Sequence, residues 1–275
     1  MTFDFLPASL ARDADGVWHT GASVNVSYPE DGDSLMIEVE ESSFWFNHRN
    51  RCILSAMERL PPHGAVVDIG SGNGFVALAM QNAGIEVLII EPGHRAAATA
   101  RRRGIKEVVC GTLEDAGFAA GSFPAAGLFD VLEHLSDDRA SLETIRKLLS
   151  GDGRIYITVP SYQILFSEED YFAGHFRRYS LRSLARVVEN AGFRIEYATY
   201  FFAFLPLPIL LCRTIPTWLK LGKPRPRASQ VVADHSLPHP FEPIIERLLR
   251  VELAAIRAGR RIPVGSSCLL VAKKT

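Results

Sequence analysis

Four cysteines in 275 residues, scattered at Cys52, Cys110, Cys212 and Cys268, leave no C-x-x-C spacing. Neither a zinc ribbon nor a disulfide framework is therefore expected, and a reducing, cytoplasmic setting fits the pattern. Neither charge sign is in excess. Thirty basic against 31 acidic side chains give a formal net charge of −1, which argues against a nucleic-acid partner. Long apolar runs are missing as well: the stretch from Phe201 to Cys212 is too short to span a bilayer and is broken by Pro206 and Pro208. The opening MTFDFLPASLARDADG lacks a basic start followed by an apolar core, so no secretory leader is expected. No internal repeat occurs. Apolar residues, in contrast, make up 47% of the chain, enough for a substantial core in one large domain or two small ones.

The informative stretch runs Val66-Val-Asp-Ile-Gly-Ser-Gly-Asn-Gly-Phe75. An apolar run carrying one acid, Asp68, breaks into glycines at alternate positions, Gly70, Gly72 and Gly74, with Ser71 and Asn73 between them. An amphipathic segment, 75–83, follows and stops at Gly84. This is a buried strand, a loop almost without side-chain bulk, and a helix, an arrangement that lets backbone N–H groups approach a ligand at the carboxyl edge of a parallel sheet. The dinucleotide spacing G-x-G-x-x-G would need glycine at Phe75, and Asp68 would repel a pyrophosphate while suiting a cationic ligand. A second apolar run, 86–90, ends in Glu91, placed to accept hydrogen bonds from both hydroxyls of a ribose.

Alternation organises the middle of the chain. Strands are expected at 65–69, 86–90, 107–110, 125–131 and 153–159, with helices at 42–60, 75–83, 93–103 and 137–149. Strand and helix in turn imply an α/β fold with a doubly wound, mostly parallel sheet. Ser180 reads as the N-cap of a helix ending before Gly192, and further strands are expected at 194–201 and 266–272. The spacing divides the chain into an irregular arm (1–41), a cofactor-binding core (42–200), an apolar, basic and helical insertion (201–264) and a final core strand (265–275).

The glycine loop, with Asp68 before it and Glu91 after it, resembles the first two motifs of the class I S-adenosylmethionine-dependent methyltransferases. The resemblance covers roughly residues 44–200 and the last strand. It implies a seven-stranded sheet with an antiparallel edge strand, S-adenosyl-L-methionine as cofactor, and contacts to it from Asp68, Gly70, Ser71, Gly72, Asn73, Gly74 and Glu91. Thr112, Leu113 and Glu114 match the family's adenine-side position, although a Thr cap at a helix entry is the plainer reading. The fourth strand ends in Asp130-Val-Leu-Glu-His134, which resembles the ubiquinone-biosynthesis O-methyltransferases and not the relatives that methylate amines through an Asp/Asn-Pro-Pro-Tyr motif. Asp130 is then a cofactor contact, and His134 a group able to take a proton from an acceptor hydroxyl. Asp130, Glu133 and His134 also form a set that could share a divalent metal, or could merely cap a helix.

The loop 161–180 carries Gly174-His-Phe-Arg-Arg-Tyr179, similar to a Gly-His-x-Arg-Arg-Tyr stretch in bacterial relatives of unassigned substrate. His175 is the second candidate catalytic residue. Arg177 and Arg178 either reach the acceptor or pair with Glu168, Glu169 and Asp170. Phe44-Trp-Phe-Asn-His-Arg49 reads as a helix packing aromatics on the sheet or closing over the cofactor. Phe201 to Leu211, followed by Arg213, Lys220, Lys223, Arg225 and Arg227, suits the wall of an apolar pocket, core, or docking on an anionic membrane surface through 201–227. The expected partner is a small or lipid-like acceptor. A nicotinamide-dependent dehydrogenase and a non-catalytic cofactor-binding or membrane scaffold are the alternatives.

Overall fold

Successive residues of the central strands alternate between two apolar layers, as a sheet covered on both faces requires. Val67, Leu88, Ile90 and Val109 join one core cluster, whereas Val66, Ile89 and Val108 join the other. A computed structural model describes residues 3–21, 40–220 and 242–275. Its strands are β1 (Ala11–Arg12), β2 (Trp18–His19), β3 (Val66–Ile69), β4 (Val87–Glu91), β5 (Glu107–Cys110), β6 (Phe123–Phe129), β7 (Leu149–Pro160), β8 (Phe193–Phe201) and β9 (Ser267–Lys274). Its helices are α1 (Phe44–Arg59), α2 (Phe75–Asn82), α3 (His94–Arg102), α4 (Leu113–Ala116), α5 (Asp138–Leu148), α6 (Glu168–Ala173), α7 (Leu181–Asn190), α8 (Pro206–Ile209), α9 (Ile215–Trp218) and α10 (Glu242–Arg257).

One sheet runs in the order β1-β2-β5-β4-β3-β6-β7-β9-β8. β2 through β7 pair in parallel, and β9 lies antiparallel between β7 and β8. The strand order reverses at β3, which pairs with both β4 and β6. At such a switch point the helices leave on opposite faces and a crevice opens at the carboxyl edge. α1, α2, α3 and α10 supply one face through Ile53, Met57, Met80, Ala97 and Ile256, and α5 and α7 supply the other through Leu142, Ile145, Leu184 and Val188. Each aliphatic side chain so buried contributes about 1.5–3 kcal/mol.

The structure corrects the sequence reading in the arm. Residues 11–12 and 18–19 form a hairpin, and β2 adds to β5, so among the described residues the sheet has nine strands where seven were expected. Strands of two residues have no period to read. Ser180 caps α7 as expected, its Oγ accepting from Ser183 N at 3.1 Å. The described parts of the 201–264 segment are tied to the core: Glu252 of α10 accepts the backbone N–H groups of Phe202 and Ala203 at 2.7 and 2.8 Å and pairs with His48 of α1 at 2.8 Å. Phe201 and Phe202 are fully buried; they are core, and only the residues after them reach the surface. Lys223, Arg225 and Arg227 lie outside the described residues.

Candidate active site

The loop between β3 and α2 owes its shape to its glycines. Gly70, Gly72 and Gly74 have φ of +71°, +56° and +76°, values that cost a residue with a Cβ about 1–2 kcal/mol. The three are glycine for different reasons. A Cβ at Gly74 would stand 2.9 Å from Ala100 Cβ and 3.2 Å from Ile89 Cδ1, and one at Gly70 would stand 3.1 Å from Val131. A Cβ at Gly72 would meet no protein atom within 4 Å. Gly74 therefore serves helix packing, whereas Gly72 opens onto free space.

Glu91 braces this loop. Its Oε2 accepts from Gly72 N at 2.8 Å and its Oε1 from Gly93 N at 2.7 Å. Burial raises its pKa, and these two hydrogen bonds pull the other way. Asp68 sits at the end of β3, 1% exposed. Ser71 Oγ donates to its Oδ2 at 2.6 Å, while Oδ1 is buried without a protein partner. Burial pushes the Asp68 pKa up to about 7, against the pull of the Ser71 hydrogen bond. Asn73 sits against the buried Arg103–Glu40 pair, its carbonyl accepting from Arg103 at 3.1 Å and its side chain hydrogen-bonding Glu40.

Thr112 caps α4: its Oγ1 accepts from Asp115 N at 3.1 Å and donates to Asp115 Oδ2 at 2.7 Å. Leu113 and Glu114 follow on α4, with Glu114 exposed.

Asp130, just past β6, has φ +58° and is held from two sides. Arg49 Nη1 lies 2.5 Å from its Oδ2, and Thr158 Oγ1 donates to its Oδ1 at 3.2 Å. Arg49 is a site residue that the sequence reading passed over as part of an aromatic helix. Its guanidinium lies 5.0 Å from the Trp45 ring and 5.1 Å from the Phe46 ring, and its Nε is buried without a partner. The only signal in the sequence was a cation on the otherwise apolar face of α1.

The structure joins the two candidate histidines across 41 positions. The His134 and His175 rings stand edge to face with centroids 4.6 Å apart. Asp170 Oδ1 lies 2.7 Å from His175 Nδ1, leaving Nε2 as the ring's other functional nitrogen. Arg178 grips both oxygens of Asp170 at 2.8 and 2.9 Å. Burial pushes the Asp170 carboxyl upward, yet the His175 and Arg178 hydrogen bonds prevail and hold it at about 2. His134 is lowered to about 4 by burial and by His175. Arg178 thus pairs within the loop, but Arg177 reaches Asp138 of α5 at 2.9 Å and not the loop acids. Glu133 is fully buried, with neither carboxylate oxygen partnered by protein, and burial next to Asp130 raises its pKa well above the usual range. Glu133, His134 and His175 offer ligand atoms within 4.8 Å of one another, so a divalent ion would find His175 in the set and not Asp130, which Arg49 occupies.

These groups fit a cationic nucleoside ligand. The free space over Gly72, the braced Glu91, the unpartnered Asp68 Oδ1 and the Arg49 Nε all belong to the tips of β3, β4 and β6 or to the helix beside them. The chain belongs to the methyltransferase domain family, whose model matches residues 44–198, more than half of the sequence. Its fold is shared by phosphoethanolamine N-methyltransferase 2 of Haemonchus contortus, solved in complex with S-adenosyl-L-methionine, with a TM-score of 0.55 at 17% identity over 89% of this chain and 58% of that one. Among curated proteins it is similar to a ubiquinone biosynthesis O-methyltransferase of Xanthomonas axonopodis pv. citri (strain 306), 27% identical over 158 residues, which are 50% of this chain. The chain spans 66% of that relative, just under two thirds of its length. Among solved structures it shares the fold of a SAM-dependent methyltransferase from Thermotoga maritima, with a TM-score of 0.54 at 19% identity over 89% of this chain and 98% of that one. It also shares the fold of a geranyl diphosphate C-methyltransferase from Streptomyces coelicolor A3(2), with a TM-score of 0.55 at 14% identity over 92% and 84%.

Proposed function

We propose that this chain is a methyltransferase that uses S-adenosyl-L-methionine and acts on a hydroxyl of a small or lipid-like acceptor, with the His134–His175 pair at the acceptor side of the crevice. One observation carries the reading: two imidazoles in contact at the tip of β6, one of them oriented by a buried carboxylate. Such an arrangement suits removal of a hydroxyl proton, because the carboxylate fixes ring and tautomer and leaves the other nitrogen to accept. When bound, the cofactor supplies an electrophilic methyl for direct displacement. Asp68 supplies negative charge for its cationic part, Glu91 accepts from the ribose, and Arg49 offers a buried cation to its carboxylate. Val131, three residues before His134, comes within contact distance of a Cβ at position 70, which supports a cofactor loop adjoining the acceptor side. The name of the Xanthomonas relative supports an O-acceptor, and that of the Streptomyces neighbour, which acts on geranyl diphosphate, supports a lipid-like one.

The test is turnover on phenols with and without a prenyl tail, read as release of S-adenosylhomocysteine. Phenols should be methylated, and His134→Ala and His175→Ala should each lower kcat at least 100-fold with little change in cofactor affinity. Full activity in both variants, or methylation confined to amines, would overturn the assignment.

A second reading concerns where the acceptor is met. Leu207, Leu211, Trp218 and Leu219 are each more than half exposed, and Ile164 and Tyr171 stand exposed on the neighbouring loop. An apolar surface of this kind, with Lys220 at its end, suits peripheral docking on an anionic membrane from the cytoplasmic side. Among the described residues no helix is long and apolar enough to cross a membrane. Salt-sensitive sedimentation with anionic vesicles, lost in Trp218→Ser with Leu219→Ser, would support docking. No pelleting at low salt would remove it.

A further inference from the structure

Outside the methyl-transfer crevice, the amino-terminal arm closes a second cluster of ligating side chains. Register pairing of β2 with β5 sets His19 beside Cys110. Cys110 Sγ lies 3.2 Å from Nδ1 of His94, the residue that opens α3. The His19 and His94 rings stack 6.0 Å apart with a 21° interplanar angle. One ligand atom from each of the three lies within 4.8 Å of the others. Behind them, Asp13 Oδ2 engages His19 Nε2 at 2.7 Å, while its Oδ1 accepts Val17 N at 2.8 Å and so is fixed by the hairpin turn.

We propose that His19, His94 and Cys110 bind one divalent ion of the zinc class, with Asp13 orienting His19, and that this ion clasps the arm to the edge of β5. A donor set of two imidazole nitrogens and one thiolate sulfur selects zinc over the hard cations magnesium and calcium. Asp13 on one imidazole nitrogen leaves the other, Nδ1, for the metal, as a carboxylate–histidine–zinc relay requires. Bonds of about 2.0–2.3 Å in tetrahedral geometry set the donors roughly 3.3–3.7 Å apart. The Cys110–His94 contact, at 3.2 Å, is slightly tighter than that spacing, and side-chain rotation of the exposed His94 adjusts it and brings the set together. A cavity of about 480 Å³ beside the cluster, lined by Asp13, His19, His94, Arg101 and Arg102, admits the ion and leaves space for a fourth ligand. The arginines on its wall favour an anion or water there.

The clasp has a mechanical purpose. The hairpin pairs with β5 over two residues only, supported by Trp18 Nε1 donating to Glu107 at 2.8 Å, Thr20 N donating to the Cys110 carbonyl at 3.2 Å, Arg12 near Glu107 at 3.8 Å, Arg101 donating to the Asp15 carbonyl at 2.8 Å and the buried Leu10 and Val17. Strand pairing that short is marginal in water, and a structural metal adds to what these contacts supply. The buried His48–Cys52–Glu252 set is a weaker candidate, because Glu252 is already engaged by His48 and the backbone of Phe202 and Ala203.

The test uses the full chain stripped with chelator and titrated with cobalt(II), then with zinc(II) as competitor. One equivalent should develop thiolate-to-cobalt charge-transfer absorption that zinc abolishes. Cys110→Ser should remove the band, His19→Ala and His94→Ala should weaken affinity at least tenfold, and Asp13→Asn should weaken it about 10–100-fold. Cys212→Ser and Cys52→Ser should leave the band intact. Zinc should raise the melting temperature of the wild type but not of His94→Ala, a change at an exposed position that serves if Cys110→Ser folds poorly. Absence of the band, its survival in His94→Ala at full affinity, or its loss with Cys212 or Cys52 would overturn the proposal.

Discussion

Gly72 and Gly74 share a backbone conformation and differ in what surrounds them, so the same substitution at each should fail in different ways. Alanine at either site carries the left-handed penalty of about 1–2 kcal/mol. At Gly72 that is the whole cost to the fold, because nothing stands within 4 Å of the new methyl. For a chain of this size 1 kcal/mol corresponds to about 2–4 °C in melting temperature, so Gly72→Ala should melt roughly 2–8 °C lower. At Gly74 the methyl would meet Ala100 Cβ at 2.9 Å and Ile89 Cδ1 at 3.2 Å, and overpacking adds about 1–3 kcal/mol. Gly74→Ala should therefore melt lower still, by roughly 4–20 °C. Binding should rank the two oppositely once folding is accounted for. Gly72→Ala places its methyl in the space assigned to the cofactor and should weaken S-adenosylhomocysteine binding by more than tenfold. Gly74→Ala, assayed well below its melting point, should bind within a few-fold of wild type. Differential scanning calorimetry and isothermal titration on the same preparations give both numbers. Wild-type affinity in Gly72→Ala would refute the claim that the cofactor passes over the loop there.

Other substitutions probe the rest of the site. Glu91→Ala removes the acceptor for two backbone N–H groups as well as the ribose partner, so cofactor affinity should fall by roughly 1.5–3 kcal/mol, about 10- to 150-fold, with some loss of melting temperature. Asp68 keeps its proton up to about 7 in the cofactor-free fold, chiefly through burial, but gives it up near 3.8 when unfolded. Stability should consequently fall as pH rises from about 4 through 7, and Asp68→Asn should flatten that part of a denaturation-versus-pH series. A bound cation favours the ionised Asp68, so cofactor binding should release protons at about pH 6.5; titrations in buffers of different ionisation enthalpy would detect this, and Asp68→Asn should abolish it. Arg49→Met should weaken cofactor binding by about 1.5–3 kcal/mol while leaving the cavity largely filled, as measured by titration.

The parts of this fold legible in the sequence were those whose physics is local. The glycine loop with Asp68, the acid at the tip of β4 and the Ser180 cap each need only neighbours in the chain to be recognised. The arm was opaque because β1 and β2 are too short for any period and exist through pairing with β5. For Phe201 and Phe202 the sequence left core, pocket wall and docking surface open, because composition does not tell a buried strand end from a surface one; Glu252, 50 positions beyond Phe202, is what seals that turn. His134 and His175 were each visible as chemistry-bearing residues, but their contact depends on the 161–180 loop folding back over β6. Arg177 shows the same limit in reverse: its nearest acids in sequence lie in its own loop, and its partner is Asp138 on another helix.

The central claim is that the crevice at the tips of β3, β4 and β6 holds S-adenosyl-L-methionine and not a nicotinamide dinucleotide. Isothermal titration of the wild-type chain with S-adenosylhomocysteine and, separately, with NAD tests it directly. The account predicts single-site binding of S-adenosylhomocysteine in the micromolar range and no heat with NAD. Heat with NAD and none with S-adenosylhomocysteine would contradict it.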